Sequence, residues 1–429
     1  MQKFKLLPIT VAVAASLASL SSFAAETDLA ALEQRILELE SQVGDIKYVD
    51  DQQQAVLTAE TNVPDGIVFS GYARYGAHYK SGDERYVDIG TTGRSVGRLG
   101  NEANGGEVQL AKLFEADNGA IWDIVFMADH WEADAWADDG GLSMKKMYAG
   151  VTNVFESQPE LYMWAGRDFH QRPQQGLNDY FWMTHDGQGA GFNNLDFGGA
   201  KLDMGFVGQV KGGLVNDNGR YAITSKLHSI NAGIGNLDLY ANYGFASDEA
   251  DSDVAGDPKV SDETAYLVGA TLGLGESNKL VVKYGDGADS SVYDLKGDYQ
   301  TLYASVEGSY AASEQFIIDY LVSYKDNSGS DLDRENTEYA GIVRPQYQWD
   351  DVHSTWLEAG YGMVDYDDDG EENAWKVTLS QNVSLGGLPW SRPMLRFYTT
   401  VGDVETKGNT VKTTNVDTLS FGAMFEAWW

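Results

Sequence analysis

The chain closes on Thr418-Leu419-Ser420-Phe421-Gly422-Ala423-Met424-Phe425-Glu426-Ala427-Trp428-Trp429. Leu419, Phe421, Ala423, Phe425, Ala427 and Trp429 share one face of a strand with period two, and Met424, Glu426 and Trp428 lie on the other. A strand with one continuous apolar and aromatic face and a second face carrying a carboxylate suits a sheet that has lipid on one side and a polar interior on the other.

The same alternation runs back along the chain. Phe69, Gly71, Ala73, Tyr75, Ala77 and Tyr79 alternate with Val68, Ser70, Tyr72, Arg74, Gly76 and His78, and Trp122, Ile124, Phe126 and Ala128 with Asp123, Val125, Met127 and Asp129. Leu237, Leu239, Ala241 and Tyr243 behave alike, as do Leu357, Ala359 and Tyr361 and then Trp375, Val377 and Leu379. A soluble sandwich would turn Val, Ile and Leu inward, whereas here aromatic residues recur near strand ends, as in the girdles of a transmembrane barrel. After the amino terminus no apolar run is long enough for a membrane helix. The fold predicted is therefore an all-β transmembrane antiparallel β-barrel. The chain from Ile67 onward holds roughly 16 to 18 strands of about 9–11 residues with their turns. A barrel that wide encloses an aqueous lumen, so function is sought in what lines it.

Composition narrows the partners. Of 429 residues, 65 are acidic and 30 basic, giving a formal charge of −35 that repels a polyphosphate backbone, so no nucleic-acid partner is expected. Cysteine is absent, which excludes a disulfide scaffold, a thiolate zinc site and a cysteine nucleophile. Six His residues show no metal-ligand spacing, and no Gly-x-Ser-x-Gly elbow or Walker loop is present, so the chain is read as a non-enzyme without metal or cofactor. Asp365, Asp367, Asp369 and Gly370 match the first half of a calcium loop, but Lys376 stands where a bidentate Glu is required, leaving a solvated loop.

Lys3 and Lys5 precede an apolar run from Leu6 to about Leu20 and the small residues Ser21, Ser22 and Ala24, the pattern of a signal peptide over 1–25. Leu29, Leu32, Ile36, Leu39, Val43 and Ile46 recur at alternating three- and four-residue intervals, predicting a short α-helical coiled coil over 26–49. Residues 50–66 read as a linker and 67–429 as the barrel. An even strand count puts both termini on the periplasmic side, and with them the coiled coil.

Alternation places Tyr72, Arg74 and His78 on the lumen face of the first strand, and Met424, Glu426 and Trp428 on that of the last. First and last strands pair when a barrel closes, so Tyr72 and Trp428 are predicted neighbours. A pyranose has an apolar C–H face and a hydroxylated rim, and rings flanked by Arg and carboxylates suit both. The competing reading is that these rings pack beneath an inward loop.

Six ordered runs carry a resemblance: Phe69-Ser70-Gly71-Tyr72-Ala73-Arg74, Arg98-Leu99-Gly100-Asn101-Glu102, Trp164-Ala165-Gly166-Arg167-Asp168-Phe169-His170-Gln171-Arg172, Gly189-Ala190-Gly191, Trp390-Ser391-Arg392-Pro393 and Trp428-Trp429. Together they resemble the maltoporin, or carbohydrate-specific porin, family, and the amino-terminal helix is similar to the extension of its sucrose-porin branch. The resemblance implies an 18-stranded outer-membrane barrel, a homotrimer, and facilitated diffusion of sugar along an aromatic slide bordered by a polar track. Carried onto this sequence, the slide is Tyr72, Trp390 and Trp428, with Trp131 entering from a neighbouring subunit. Phe181 stands where the family has a constriction tyrosine. The polar track is Arg74, Arg98, Glu107, Arg172 and Asp179, with Lys145 where the family often has arginine. Asn104-Gly105-Gly106-Glu107 lacks the ring that the family carries on its second strand, and Tyr293 is the nearest match to the middle-loop aromatic. A slide shortened in this way leaves the sugar open between maltodextrins, a disaccharide and another oligosaccharide. A non-specific general diffusion porin and a structural or adhesin barrel stay as alternatives. Outer-membrane lipid and lipopolysaccharide are the remaining expected partners.

Overall fold

The computed structural model of the protein describes residues 47–49, 54–56, 63–84, 86–132, 141–211, 216–247, 250, 260–275, 277–408 and 414–429. The expected signal peptide lies outside the described residues. So does the expected coiled coil except its last three residues, which are extended: β1 (Lys47–Val49) pairs antiparallel with β2 (Gln54–Val56).

The body begins with β3 (Val68–Lys80), β4 (Asn104–Glu115), β5 (Ile121–Glu132), β6 (Ser143–Thr152) and β7 (Tyr162–Asp168). A minimal hairpin follows, β8 (Gln174–Gln175) with β9 (Tyr180–Phe181). The sheet resumes with β10 (Gly187–Asp196), β11 (Lys201–Lys211), β12 (Asn216–Asn231), β13 (Asn236–Ala246), β14 (Thr264–Leu274) and β15 (Asn278–Asp286). It ends with β16 (Gln300–Ala311), β17 (Phe316–Ser328), β18 (Asn336–Gln348), β19 (His353–Tyr366), β20 (Glu371–Ser384), β21 (Met394–Lys407) and β22 (Thr414–Trp428). β3 to β7 and β10 to β22 form one closed antiparallel barrel of 18 strands, the upper end of the range that length allowed. Closure runs from Ser420 opposite Lys80 to Trp428 opposite Tyr72, which makes the predicted neighbours register partners.

Alternation sorts the faces as the sequence requires. On β20, Trp375 is 45% exposed on the outer face while Lys376 is fully buried inside. Leu357, Tyr361, Phe421 and Phe425 are likewise exposed, and their neighbours Trp356, Glu358, Ser420 and Glu426 are buried. Apolar side chains face outward because lipid is the outer solvent. Short connections turn at one end, such as Ala116 to Ala120, where the left-handed backbone of Gly119 (φ 82°) closes the reversal.

Three longer connections fold into the lumen and interlock. Loop 81–103 is held to loop 169–186 by the amides of Arg94 and Arg98, which donate to the carbonyls of Asn178 (2.5 Å) and Leu177 (2.8 Å). Loop 169–186 reaches loop 287–299 through the Val292 amide, which donates to His185 Nε2 at 3.3 Å. Ionic groups then seat the loops on the wall. Lys376 Nζ donates to the carbonyls of Gly97 and Leu99 at 2.6 Å each, and Glu358 accepts from the Leu99 amide (2.8 Å) while pairing with Lys376 (3.1 Å) and Arg344 (2.5 Å). Lys325 joins two loops at once, with Asp289 at 2.9 Å and Thr91 Oγ1 at 2.5 Å. These charges are buried by the loops they hold, and such burial is tolerable only with every partner in place. Replacing Glu358 by Gln should cost about 3–5 kcal/mol and release loop 81–103 from β18 to β20. Faster hydrogen exchange at residues 86–100 than in the parent barrel is the expected reading, and unchanged protection would contradict it.

Candidate functional site

The docked loops also reach the wall at β3, β21 and β22, through Asp179, Glu102 and Arg98, and there the rings of Tyr72, Trp131 and Trp428 keep part of their surface exposed. Tyr72 sits between two tryptophans. Its ring centroid lies 6.5 Å from Trp428 with planes 23° apart, and 5.9 Å from Trp131 with planes 24° apart. Trp428 is 45% exposed although its strand neighbours Met424 and Glu426 are buried, so the ring is presented to the lumen rather than packed. Each end of the tier carries a guanidinium: Arg392 lies 4.3 Å from the Trp428 centroid and Arg74 5.1 Å from that of Trp131.

Beside the rings, four arginines meet three carboxylates. Arg74 pairs with Asp179 at 2.7 Å; Arg98 lies between Asp179 (4.0 Å) and Glu426 (3.4 Å). Glu426 also binds Arg392 and, at 2.8 Å, Arg396, which reaches Glu102 at 2.6 Å. The Tyr72 hydroxyl donates to Glu426 at 2.7 Å, coupling the central ring to this network. Burial alone would raise the carboxyl of Asp179, a loop residue, but the guanidinium groups of Arg74 and Arg98 hold it below the usual carboxylate range. Gln174 fixes its other oxygen at 2.6 Å, so the β8–β9 hairpin positions this acid.

A second charged group faces the lumen from β4, β5, β6 and the 169–186 loop. The guanidinium of Arg172 is clasped between Phe169 (4.2 Å) and Phe181 (4.1 Å) and pairs with Asp186 at 3.4 Å. Lys145 pairs with Asp129 at 3.6 Å, and Glu107 is the register partner of Asp129 across β4 and β5. Without a hydroxyl, Phe181 contributes its face to Arg172 and no hydrogen bond.

Ten of the residues singled out in the sequence thus fall into these two groups: Tyr72, Arg74, Arg98, Glu107, Trp131, Lys145, Arg172, Asp179, Phe181 and Trp428. In this single chain Trp131 stacks on Tyr72, over its register partner Gly105, which has no side chain. Two of the expected aromatic residues stand apart from both groups. Trp390 stands 45% exposed on the turn between β20 and β21, and among the described residues no ring contact joins it to the tier. Tyr293 is packed, 2% exposed and edge-on to His185 at 5.8 Å, so it lines no path. Sequence reading missed Glu102, Arg392 and Arg396 as site residues. Arg396 shares the buried lumen parity of Met394 and Tyr398 on β21, a signal visible once that strand is phased. Among the described residues, no group of three His, Asp or Glu could hold a metal ion.

A closed barrel with loops folded into its lumen, apolar outside and lined by rings and paired charges, defines an outer-membrane porin. The LamB porin family profile matches residues 67–429, and the chain belongs to that family. Among solved structures, OmpT of Vibrio cholerae in its trimer form is 13% identical over 85% of this chain and 99% of its own, with a TM-score of 0.41. OccD3 (OpdP) of Pseudomonas aeruginosa is 11% identical over 91% and 97%, TM-score 0.49. Wzi of Escherichia coli, a carbohydrate-binding β-barrel involved in group 1 capsule assembly, is 10% identical over 83% of each chain, TM-score 0.42. Family and barrel make the protein an outer-membrane diffusion channel, a non-enzymatic class.

Glu426 is the acceptor shared by three arginines. Glu426→Gln should leave uncompensated positive charge at the ring tier and move the zero-current potential in a salt gradient toward anion preference; a shift toward cations, or none, would show that this cluster does not face the conducting path.

Proposed function

We propose that the channel carries carbohydrates, maltodextrins or other oligo- or disaccharides, by facilitated and energy-independent diffusion. The observation that carries this reading is the Trp428–Tyr72–Trp131 tier, whose partly exposed rings lie beside arginine and carboxylate groups. Apolar C–H faces of a sugar slide over the rings while successive hydroxyls exchange hydrogen bonds with Arg74, Arg98, Arg172, Glu107 and Asp179. The nearly balanced charge of each group favours a neutral solute over an ionic one. Contacts spread over several rings keep each bound state shallow enough to leave, as permeation demands. We further infer that three copies assemble in the outer membrane with both termini on the periplasmic side, which an even number of strands allows.

Ion current through the purified protein in a planar bilayer, recorded while titrating sucrose, maltose, maltohexaose and cellobiose, tests the reading. Saturable block by at least one sugar, closing in three equal steps per insertion, is expected. Steady current untouched by all four would leave a general diffusion porin. In the same assay Trp428→Ala should weaken block by about tenfold, the loss of one well-stacked ring.

A further inference from the structure

Lys145 and Lys146 are consecutive, and a regular strand would send one of them inward and the other outward. A bulge in β6 prevents this: Met127 on β5 faces Lys146 while the next residue, Ala128, faces Met144, so Lys145 is the extra residue. Both amines then reach acids of the inner face, Lys145 at Asp129 (3.6 Å) and Lys146 at Asp168 (3.5 Å). The Lys145 side chain is 34% exposed, whereas those of Lys146 and Asp168 are 0% and 2% exposed. The first pair lines the lumen and the second lies beneath the inward loop.

Asp168 is the last residue of β7, and at Phe169 the chain leaves the wall to form loop 169–186. The buried pair therefore stands at the point of departure. Lys146 Nζ lies 5.0 Å from the Phe169 ring centroid, and the guanidinium of Arg172 lies 4.2 Å from the same centroid. One ring thus takes two cations, the first anchored on the wall and the second partly open to the lumen. Two like charges on one ring are tolerable because each has its own carboxylate, Asp168 for Lys146 and Asp186 for Arg172. Without Lys146 the buried Asp168 carboxylate would be uncompensated and would draw the guanidinium held against the same ring away from the lumen.

We propose that Lys146 and Asp168 are positioning residues of the constriction, which act through the Phe169 ring to fix where the Arg172 guanidinium stands in the lumen. The inference rests on the channel class and, where Arg172 receives sugar hydroxyls, on the sugar reading above.

The zero-current potential in a salt gradient tests it, read on the full chain in a planar bilayer without sugar. Arg172→Gln is measured in the wild type and in a Lys146→Met, Asp168→Asn background, which loses one positive and one negative charge and so keeps the net charge. In the wild type the substitution should move the potential toward cation preference. In the charge-neutral background it should move it by less than half as much, since residues that act as a unit are not additive. An equal shift in both backgrounds would overturn the inference, as would no shift in the wild type. Hydrogen exchange over residues 174–183 should match the wild type in that background; lost protection would make the pair an anchor of the whole loop instead and overturn the positioning role. Phe169→Leu keeps both charges and removes the ring between them, so it too should more than halve the Arg172 shift, and a full shift there would overturn the inference even if the double variant failed to fold. Wild-type current untouched by every sugar would remove the sugar channel and leave this inference standing.

Discussion

Every backbone N–H and C=O that enters lipid has to find its partner within the protein. A β-sheet meets that demand only by closing on itself, and here closure falls between β22 and β3. Closure inverts the usual protein: period-two alternation sends aromatic and aliphatic side chains outward and collects lysines, arginines and carboxylates inside. It also makes the first and last strands adjacent. The central ring of the tier stands on the first of them and one of its tryptophans on the last, so the site exists only because the sheet closes.

A lumen lined by charge would be too wide to guide a small solute, and the three inward loops narrow it. Their docking is ionic more than apolar. Buried lysines reach loop carbonyls and loop acids, and Glu358 binds a wall arginine, a wall lysine and a loop amide at once. Small apolar clusters fill the remaining gaps, such as Val87, Ile89 and Val96 against Val364 and Ala374. Where such groups are buried with partners in place, the cost of desolvation is offset by fixed geometry, which suits a constriction that has to keep its width.

At the site the same economy recurs. Glu426 organises Arg98, Arg392 and Arg396 and accepts from Tyr72, so the charges that could receive sugar hydroxyls are held beside the rings that could receive sugar faces. Arg172 is fixed by two phenylalanine faces and Asp186. Rings and charges thus stiffen one another.

Alternation along single strands was enough to identify a transmembrane barrel, to put Tyr72, Arg74, Glu426 and Trp428 on the lumen face, and to pair Tyr72 with Trp428, because a period of two leaves each side chain only two directions and closure fixes one neighbour. The ordered runs from Phe69 to Trp429 were enough for the family. What required the tertiary structure was everything set by distance between strands or by loops folding back. The sequence shows Gly105 as a missing ring and Trp131 as a residue some two dozen positions away; only the register of β4 with β5 lays one upon the other. Trp390, exposed on a turn, and Tyr293, buried beneath a loop, carry the same aromatic signal in the sequence as the rings that form the tier. Loop docking decides among them, since whether an aromatic side chain faces water or packing depends on what lies above it, and no local pattern along the chain encodes that.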